Sequence, residues 1–233
     1  MRILDSNEYI NEKLVIQPVT RERLVDLKNQ EIDDYIKDFI RENKLKWNPV
    51  TKSYDCEGDV EVSKNIVTCG KLKIRFGNVG GDFDCSYINL TTLEGAPKKV
   101  GVDFYCKYNK LTTLKGAPKE VGGNFNCSFN ELTSLESAPN KVGGEFACNN
   151  NKLTTLEGAP NEVGGDFSCI GNNLTYLEGA PQEIGGNFNC AHNNLTTIDI
   201  APKKVGGDFY CYYNPNLVLP KEKPSWLKGE IIK

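Results

Sequence analysis

The stretch Gly101-Val102-Asp103-Phe104-Tyr105-Cys106-Lys107-Tyr108-Asn109-Lys110-Leu111-Thr112-Thr113-Leu114-Lys115-Gly116-Ala117-Pro118-Lys119-Glu120-Val121 decides the fold, because its pattern returns along most of the chain. Seven cysteines, Cys85, Cys106, Cys127, Cys148, Cys169, Cys190 and Cys211, fall 21 residues apart. Around them runs Gly-Gly-(Asp/Asn/Glu)-Phe-x-Cys-x-x-Asn-x-Leu-Thr-x-Leu-x-Gly-Ala-Pro. A fixed period of this length predicts a solenoid, in which each coil buries its apolar edge only by stacking on its neighbours.

Within one coil, Phe104 and Cys106 lie two apart and therefore point to the same side of an extended strand. Free cysteine behaves as a small buried hydrophobe, so Phe and Cys rows are expected to climb the inside of the stack. The Leu rows, such as Leu111 and Leu114, fill the next corner, and Val100, Val121, Val142, Val163, Ile184 and Val205 close each coil. The Ala-Pro pairs suit a return that needs no sheet N–H. Asn109, Asn130, Asn151, Asn172, Asn193 and Asn214 form a polar row between inward rows, and buried amides must find partners. The expectation is that they bond turn backbone in their own and adjacent coils. Val102 replaces the second glycine of the pair in one coil, which singles out Gly101 as the position expected to need a positive φ.

The organisation reads as an N-terminal helical region and cap over 1–55, a repeat solenoid over 56–214 and a C-terminal cap over 215–233. Gly58-Asp59-Val60-Glu61-Val62-Ser63-Lys64-Asn65 is a degenerate first coil, with Val60 in the Phe slot, Val62 in the Cys slot and Asn65 in the Asn slot. Counting it, eight short strands stack over about 35–40 Å. Leu24, Leu27, Ile32, Tyr35, Ile36, Phe39 and Ile40 follow helical spacing and predict one helix, or two broken near Asn29, over 20–43. Its apolar stripe is read as a lid on the first coil, with Trp47 and Tyr54 joining the seam. Pro224-Ser225-Trp226-Leu227 is expected to cover the other end.

A net charge of -3 with a pI near 5.4 weighs against nucleic acid or a membrane surface as partner. No apolar run is long enough for a transmembrane helix, and the first residues lack a signal-peptide core. Nine cysteines are an odd count, so they read as reduced thiols in a cytosol. The ladder thiols are expected to be inert, and Cys56 and Cys69, outside the ladder, to be the reactive ones. No paired C-x-x-C ligand set points to zinc, and the single histidine, His192, has no neighbouring nucleophile. Neither cofactor nor metal is expected, and no catalytic residue is assigned.

Three columns vary from coil to coil while the inward ones do not. Between Phe and Cys stand Asp84, Tyr105, Asn126, Ala147, Ser168, Asn189 and Tyr210; after Cys, Ser86, Lys107, Ser128, Asn149, Ile170, Ala191 and Tyr212. One residue further come Tyr87, Tyr108, Phe129, Asn150, Gly171, His192 and Tyr213. Six of the ten tyrosines sit here, and tyrosine gives large contact area at low rotamer cost. These columns are read as a partner-binding face: Tyr87, Tyr105, Lys107, Tyr108, Phe129, Asn150, His192, Tyr210, Tyr212 and Tyr213. Ala147, Ser168, Gly171 and Ala191 form a small-residue trough expected to receive a protruding element of the partner. The stripe Asp59, Asp82, Asp103, Asn124, Glu145, Asp166, Asn187, Asp208 is read as a solvated acidic margin that bonds turn amides.

Phe104, Cys106, Asn109 and Leu111 stand where the leucine-rich repeat has L-x-L-x-x-N-x-L, although Val100 lies four residues before Phe104 rather than three. The pattern resembles the G-G-x-F-x-C-x-x-N-x-L-T-x-L-x-G-A-P variant found in bacterial and bacteriophage proteins. That resemblance implies a mainly β, leucine-rich-repeat-like solenoid. It also implies a non-enzymatic module, a phage factor docking on a host bacterial protein in the cytosol to block an antiviral defence. The other readings are a small-ligand or nucleotide sponge and a virion structural or assembly component.

Overall fold

In the computed structural model, which describes residues 34–199 and 202–233, the chain is a β-solenoid whose coils lay down two parallel sheets. One sheet contains Val60–Glu61, Phe83–Asp84, Phe104–Tyr105, Phe125–Asn126, Phe146–Ala147, Phe167–Ser168, Phe188–Asn189, Phe209–Tyr210 and Ile231–Ile232 in spatial order. Phe pairs with Phe in register from coil to coil, so the 21-residue period is also the register of the sheet. The second sheet runs through Phe76–Val79, Lys99–Val100, Glu120–Val121, Lys141–Val142, Glu162–Val163, Glu183–Ile184 and Lys204–Val205. The Val row, read from sequence as a simple closure of each coil, is thus a sheet of its own. We refer to the two as the Phe sheet and the Val sheet.

The interior between them is dry. Phe83, Phe104, Phe125, Phe146, Phe167, Phe188 and Phe209 are fully buried, as are the Cys row and both Leu rows. Five of these rings stack face to face from Phe83 to Phe167 at centroid steps of 5.7, 5.1, 5.2 and 5.5 Å. Phe188 and Phe209 then turn edge-on. All nine cysteines are free thiols. The Sγ–H of Cys85, Cys127, Cys148 and Cys190 donates to a carbonyl of the next coil at 3.3–3.4 Å, and burial pushes the ladder thiols up, well up from Cys85 to Cys190. A thiol held in its protonated form is a poor nucleophile and a poor metal ligand. Of the two thiols expected to be reactive, Cys69 is exposed, whereas Cys56 is buried, its Sγ–H pointing at Asn43 O at 3.3 Å. That corrects the expectation for Cys56: the turn leaving the N-terminal helix covers it.

The Asn row works as a polar spine. Each Nδ2 from Asn109 to Asn214 donates to the cysteine carbonyl of the preceding coil at 2.8–3.2 Å and to the cysteine carbonyl of its own. Each Oδ1 accepts the leucine N–H of the preceding coil at 2.9–3.1 Å. Asn65 does not join. It is exposed, within the short 3-10 turn Lys64–Ile66, because the first coil is two residues longer and spends the excess on that turn and a hairpin. The hairpin, Val67–Thr68 against Lys71–Leu72, turns through Cys69 and Gly70, both at positive φ. This is the geometry a two-residue hairpin loop demands.

The glycine pairs have a different cause from the one expected. Gly101 does not have a positive φ. A Cβ on Gly101 would instead overlap the Gly80 carbonyl, and Gly122, Gly143, Gly164, Gly185 and Gly206 each sit against the preceding first glycine in the same way. Backbone meets backbone there, and only hydrogen fits. Positive φ belongs to the Gly of Gly-Ala-Pro, at +93° in Gly95 and +96° in Gly116, with Ser137 taking that place in one coil.

Both ends are covered. A helix over 34–42 places Phe39 edge-on against Phe76 at 6.2 Å, with Ile36, Ile40 and Leu45 on the same core. It is the described part of the helix expected over 20–43; residues 20–33, with Leu24, Leu27, Asn29 and Ile32, lie outside the described residues. The hairpin Lys46–Asn48 and Ser53–Cys56 covers the Val sheet, with Trp47 against Tyr54 at 5.1 Å. At the other end Leu227 bridges to Val205 and Trp226 meets Phe209 at 5.5 Å. The tail then adds Ile231–Ile232 to the Phe sheet. Gly229-Glu230-Ile231 is a faint copy of Gly207-Asp208-Phe209, and that likeness was the signal for this last strand.

Candidate functional site: the variable face of the Phe sheet

The outward side of the Phe sheet carries the three variable columns, bounded by the acidic stripe on one side and the corner after each cysteine on the other. The stripe is a hydrogen-bonded ladder. Asp59, Asp82, Asp103, Asn124, Asp166, Asn187 and Asp208 each use Oδ1 to accept a backbone N–H of the next coil at 2.6–2.9 Å. The reading of the stripe as a bonded margin holds, with a gap at Glu145. Its longer side chain makes no such bond to Asp166 N–H, and burial, then the Asp166 charge, push the Glu145 carboxyl up. Ionising a carboxyl with a raised folded-state pKa lowers stability as pH rises through that value. Glu145→Asn is therefore expected to stabilise the protein by about 1 kcal/mol at pH 7 through the restored bond, and by less near pH 4. Paired urea unfolding curves at the two pH values check this.

The first two columns are less open than alternation implied. Tyr105, Lys107, Tyr210 and Tyr212 are half-buried, whereas Ala147, Ser168 and Ala191 of the trough are buried. The floor is knitted together: Asn149 Oδ1 accepts from Ser168 Oγ at 2.7 Å and from Ile170 N–H at 2.8 Å. Tyr105 O–H donates to Asp103 Oδ2 at 2.5 Å, and that bond, reinforced by partial burial, raises the Tyr105 hydroxyl to about 12. The Lys107 ammonium sits 5.7 Å from the Tyr105 ring centroid. The trough is thus a flat, hydrogen-bonded floor rather than an empty slot.

The third column stands highest. Tyr87, Tyr108, Phe129, Asn150, His192 and Tyr213 all have φ between 52° and 59°, and Gly171 has 67°. The left-handed region suits glycine and asparagine, so bulky rings there carry strain. They lie in two stacks. Tyr87, Tyr108 and Phe129 overlap at 4.4 and 4.2 Å, and His192 overlaps Tyr213 at 4.2 Å. Tyr87 is 55% exposed, Tyr108 and Phe129 41%, and Tyr213 70%. Between the stacks lie Asn150 and Gly171, two rungs without a ring. The ten residues singled out from sequence therefore fall into an exposed rail (Tyr87, Tyr108, Phe129, Asn150, His192, Tyr213) and a half-buried floor (Tyr105, Lys107, Tyr210, Tyr212).

Sequence reading missed a concave surface on the other sheet. A cleft of about 730 Å3 lies between the N-terminal hairpin and the Val sheet, lined by Trp47, Pro49, Asp55, Asn78, Val79 and Lys99 among others. Trp47, expected in the seam, is 54% exposed at its mouth. The stacked first glycines set this concavity, since they put no side chains on that strip of backbone. The glycines were visible in the sequence, but their inter-coil contact was not.

Fold and face together define a repeat β-solenoid with one variable, aromatic-edged sheet. No family model, curated protein or solved structure matches the chain. Among the described residues no helix is long and apolar enough to cross a membrane.

Proposed function

We propose that the protein is a non-enzymatic binding module that docks a partner protein on the variable face of its Phe sheet. The observation that carries this reading is the third column. Asn150 and Gly171 are the low-strain residues for a left-handed corner, yet Tyr87, Tyr108, Phe129, His192 and Tyr213 occupy the same corner. Left-handed backbone at a bulky residue costs on the order of 1 kcal/mol or more, and ring stacking returns about 0.5–1.5 kcal/mol per pair. Stacking thus offsets the strain, and the contact area the rings offer outwards is what a partner would use. The resemblance of the repeat to bacterial and bacteriophage proteins supports a further step: a phage-encoded factor acting in a bacterial cytosol against a host defence protein.

Asparagine is the replacement of choice for a test, because Asn150 already sits in that corner. The triple variant Tyr87→Asn/Tyr108→Asn/Phe129→Asn is expected to fold and to lose the protein that co-purifies with the wild type from a bacterial host. Quantitative mass spectrometry of the two eluates decides it. Capture unchanged by the triple variant would retire the reading.

A further inference from the structure

The charges on the two sheets are arranged oppositely. Along the Val sheet, Lys99 pairs with Glu120 at 2.8 Å, Lys141 with Glu162 at 2.6 Å and Glu183 with Lys204 at 3.8 Å, so that column is self-neutralised. From the stripe to the third column, coils two to eight of the Phe sheet carry Asp82, Asp84, Asp103, Glu145, Asp166 and Asp208, with Lys107 as the one Lys or Arg among them. None of the six carboxylates forms an ion pair among the described residues. The stripe aspartates use Oδ1 for the backbone ladder, which leaves Oδ2 of Asp82 and Asp166 without a cation.

Resting on the docking-face reading, we infer that the partner element is a basic amphipathic segment. It lies lengthwise over the coils, one edge lined with Lys and Arg against the carboxylate margin, its other edge apolar against the Tyr87–Tyr108–Phe129 rail. Margin and rail lie five positions apart along each coil, at most about 17 Å of extended chain. That width takes a single helix of about 10–12 Å diameter, or one strand with its side chains. The coils repeat every 4.8 Å or so and a helix every 5.4 Å, so successive turns of a helix keep rough step with successive coils, five of the seven of which carry a stripe carboxylate. A row of like charges with no internal counter-ion repels itself, and a cationic partner relieves that repulsion on binding. The same field repels nucleic acid and acidic peptides. On the apolar side, ring edges of the rail offer area to leucine-like side chains and to the stems of lysine and arginine.

The test uses the full chain and a fluorescein-labelled peptide of three Leu-Lys-Lys-Leu-Leu-Lys-Lys repeats, whose leucines share one helical face, with its glutamate counterpart as control, followed by fluorescence anisotropy. The lysine probe is expected to bind and the glutamate probe to stay free. Asp82→Asn/Asp166→Asn/Asp208→Asn keeps the ladder, since Asn124 and Asn187 already make the same backbone bond, and should weaken the lysine probe about tenfold or more. Glu120→Gln/Glu162→Gln/Glu183→Gln makes an equal change of net charge on the Val sheet and should leave affinity within about twofold. The inference is overturned if the lysine probe does not bind, if the aspartate variant binds as the wild type does, or if the two charge variants lose affinity equally. If the aspartate variant is silent while Tyr87→Asn/Tyr108→Asn/Phe129→Asn abolishes binding, the docking face survives and the basic partner falls. If both are silent, both fall.

Discussion

Asn151→Leu is expected to destabilise the protein by about 3–5 kcal/mol, although it exchanges a polar core residue for an apolar one of similar volume. The reason is what it leaves behind. Asn151 Nδ2 serves Cys127 O at 3.2 Å, Cys148 O at 3.1 Å and Asn149 O at 3.2 Å, while its Oδ1 holds Leu132 N–H at 3.0 Å. Asn151 is 9% exposed, so water has little access to replace those partners. Each buried group left without a partner costs about 1–3 kcal/mol, of which the added apolar burial returns only part. Leucine also makes no hydrogen bond to the preceding coil, so the spine is cut in the middle. Urea unfolding of the variant measures the loss; a midpoint within error of the wild type would refute the polar-spine account.

The second large effect is expected for Phe146→Ala, at about 3–5 kcal/mol. Phe146 has no exposed surface and lies between Phe125 at 5.2 Å and Phe167 at 5.5 Å, with interplanar angles of 4° and 5°. Its removal opens a cavity that neighbours cannot close, because both adjacent rings are locked by their own coils in sheet register. Phe146→Leu should recover more than half of the loss by refilling volume without restoring the stack. Thermal unfolding of the two variants separates the terms. An alanine variant within about 1 kcal/mol of the wild type would mean that the ring column is not tightly packed.

The Phe, Cys, Leu and Asn rows were legible in the sequence because each coil is a separate experiment on the same position. Seven repeats of Phe-x-Cys separate inward from outward residues without any second sequence. The Val sheet was less legible, since Lys-Val or Glu-Val contributes one inward side chain per coil and reads equally well as a closure. Gly101 shows a different limit. Positive φ and close backbone approach both forbid a side chain, and a string of letters does not say which applies; Gly80 lying beneath Gly101 is a fact of three dimensions. Cys56 and Asn65 failed for a shared reason, because both lie where the period breaks and positional arguments lose their reference. The height of the tyrosine rail over its floor depends on a left-handed corner that no motif announces.

The inter-coil glycine contact bears on how such a molecule changes over time. Every junction from Gly80 to Gly206 is chemically the same joint, so cutting out or duplicating one 21-residue segment reproduces an existing junction and creates no foreign one. Length can therefore be gained or lost in whole increments, and each increment brings its own triplet of outward letters. The molecule is in effect a ruler whose markings can be rewritten one graduation at a time.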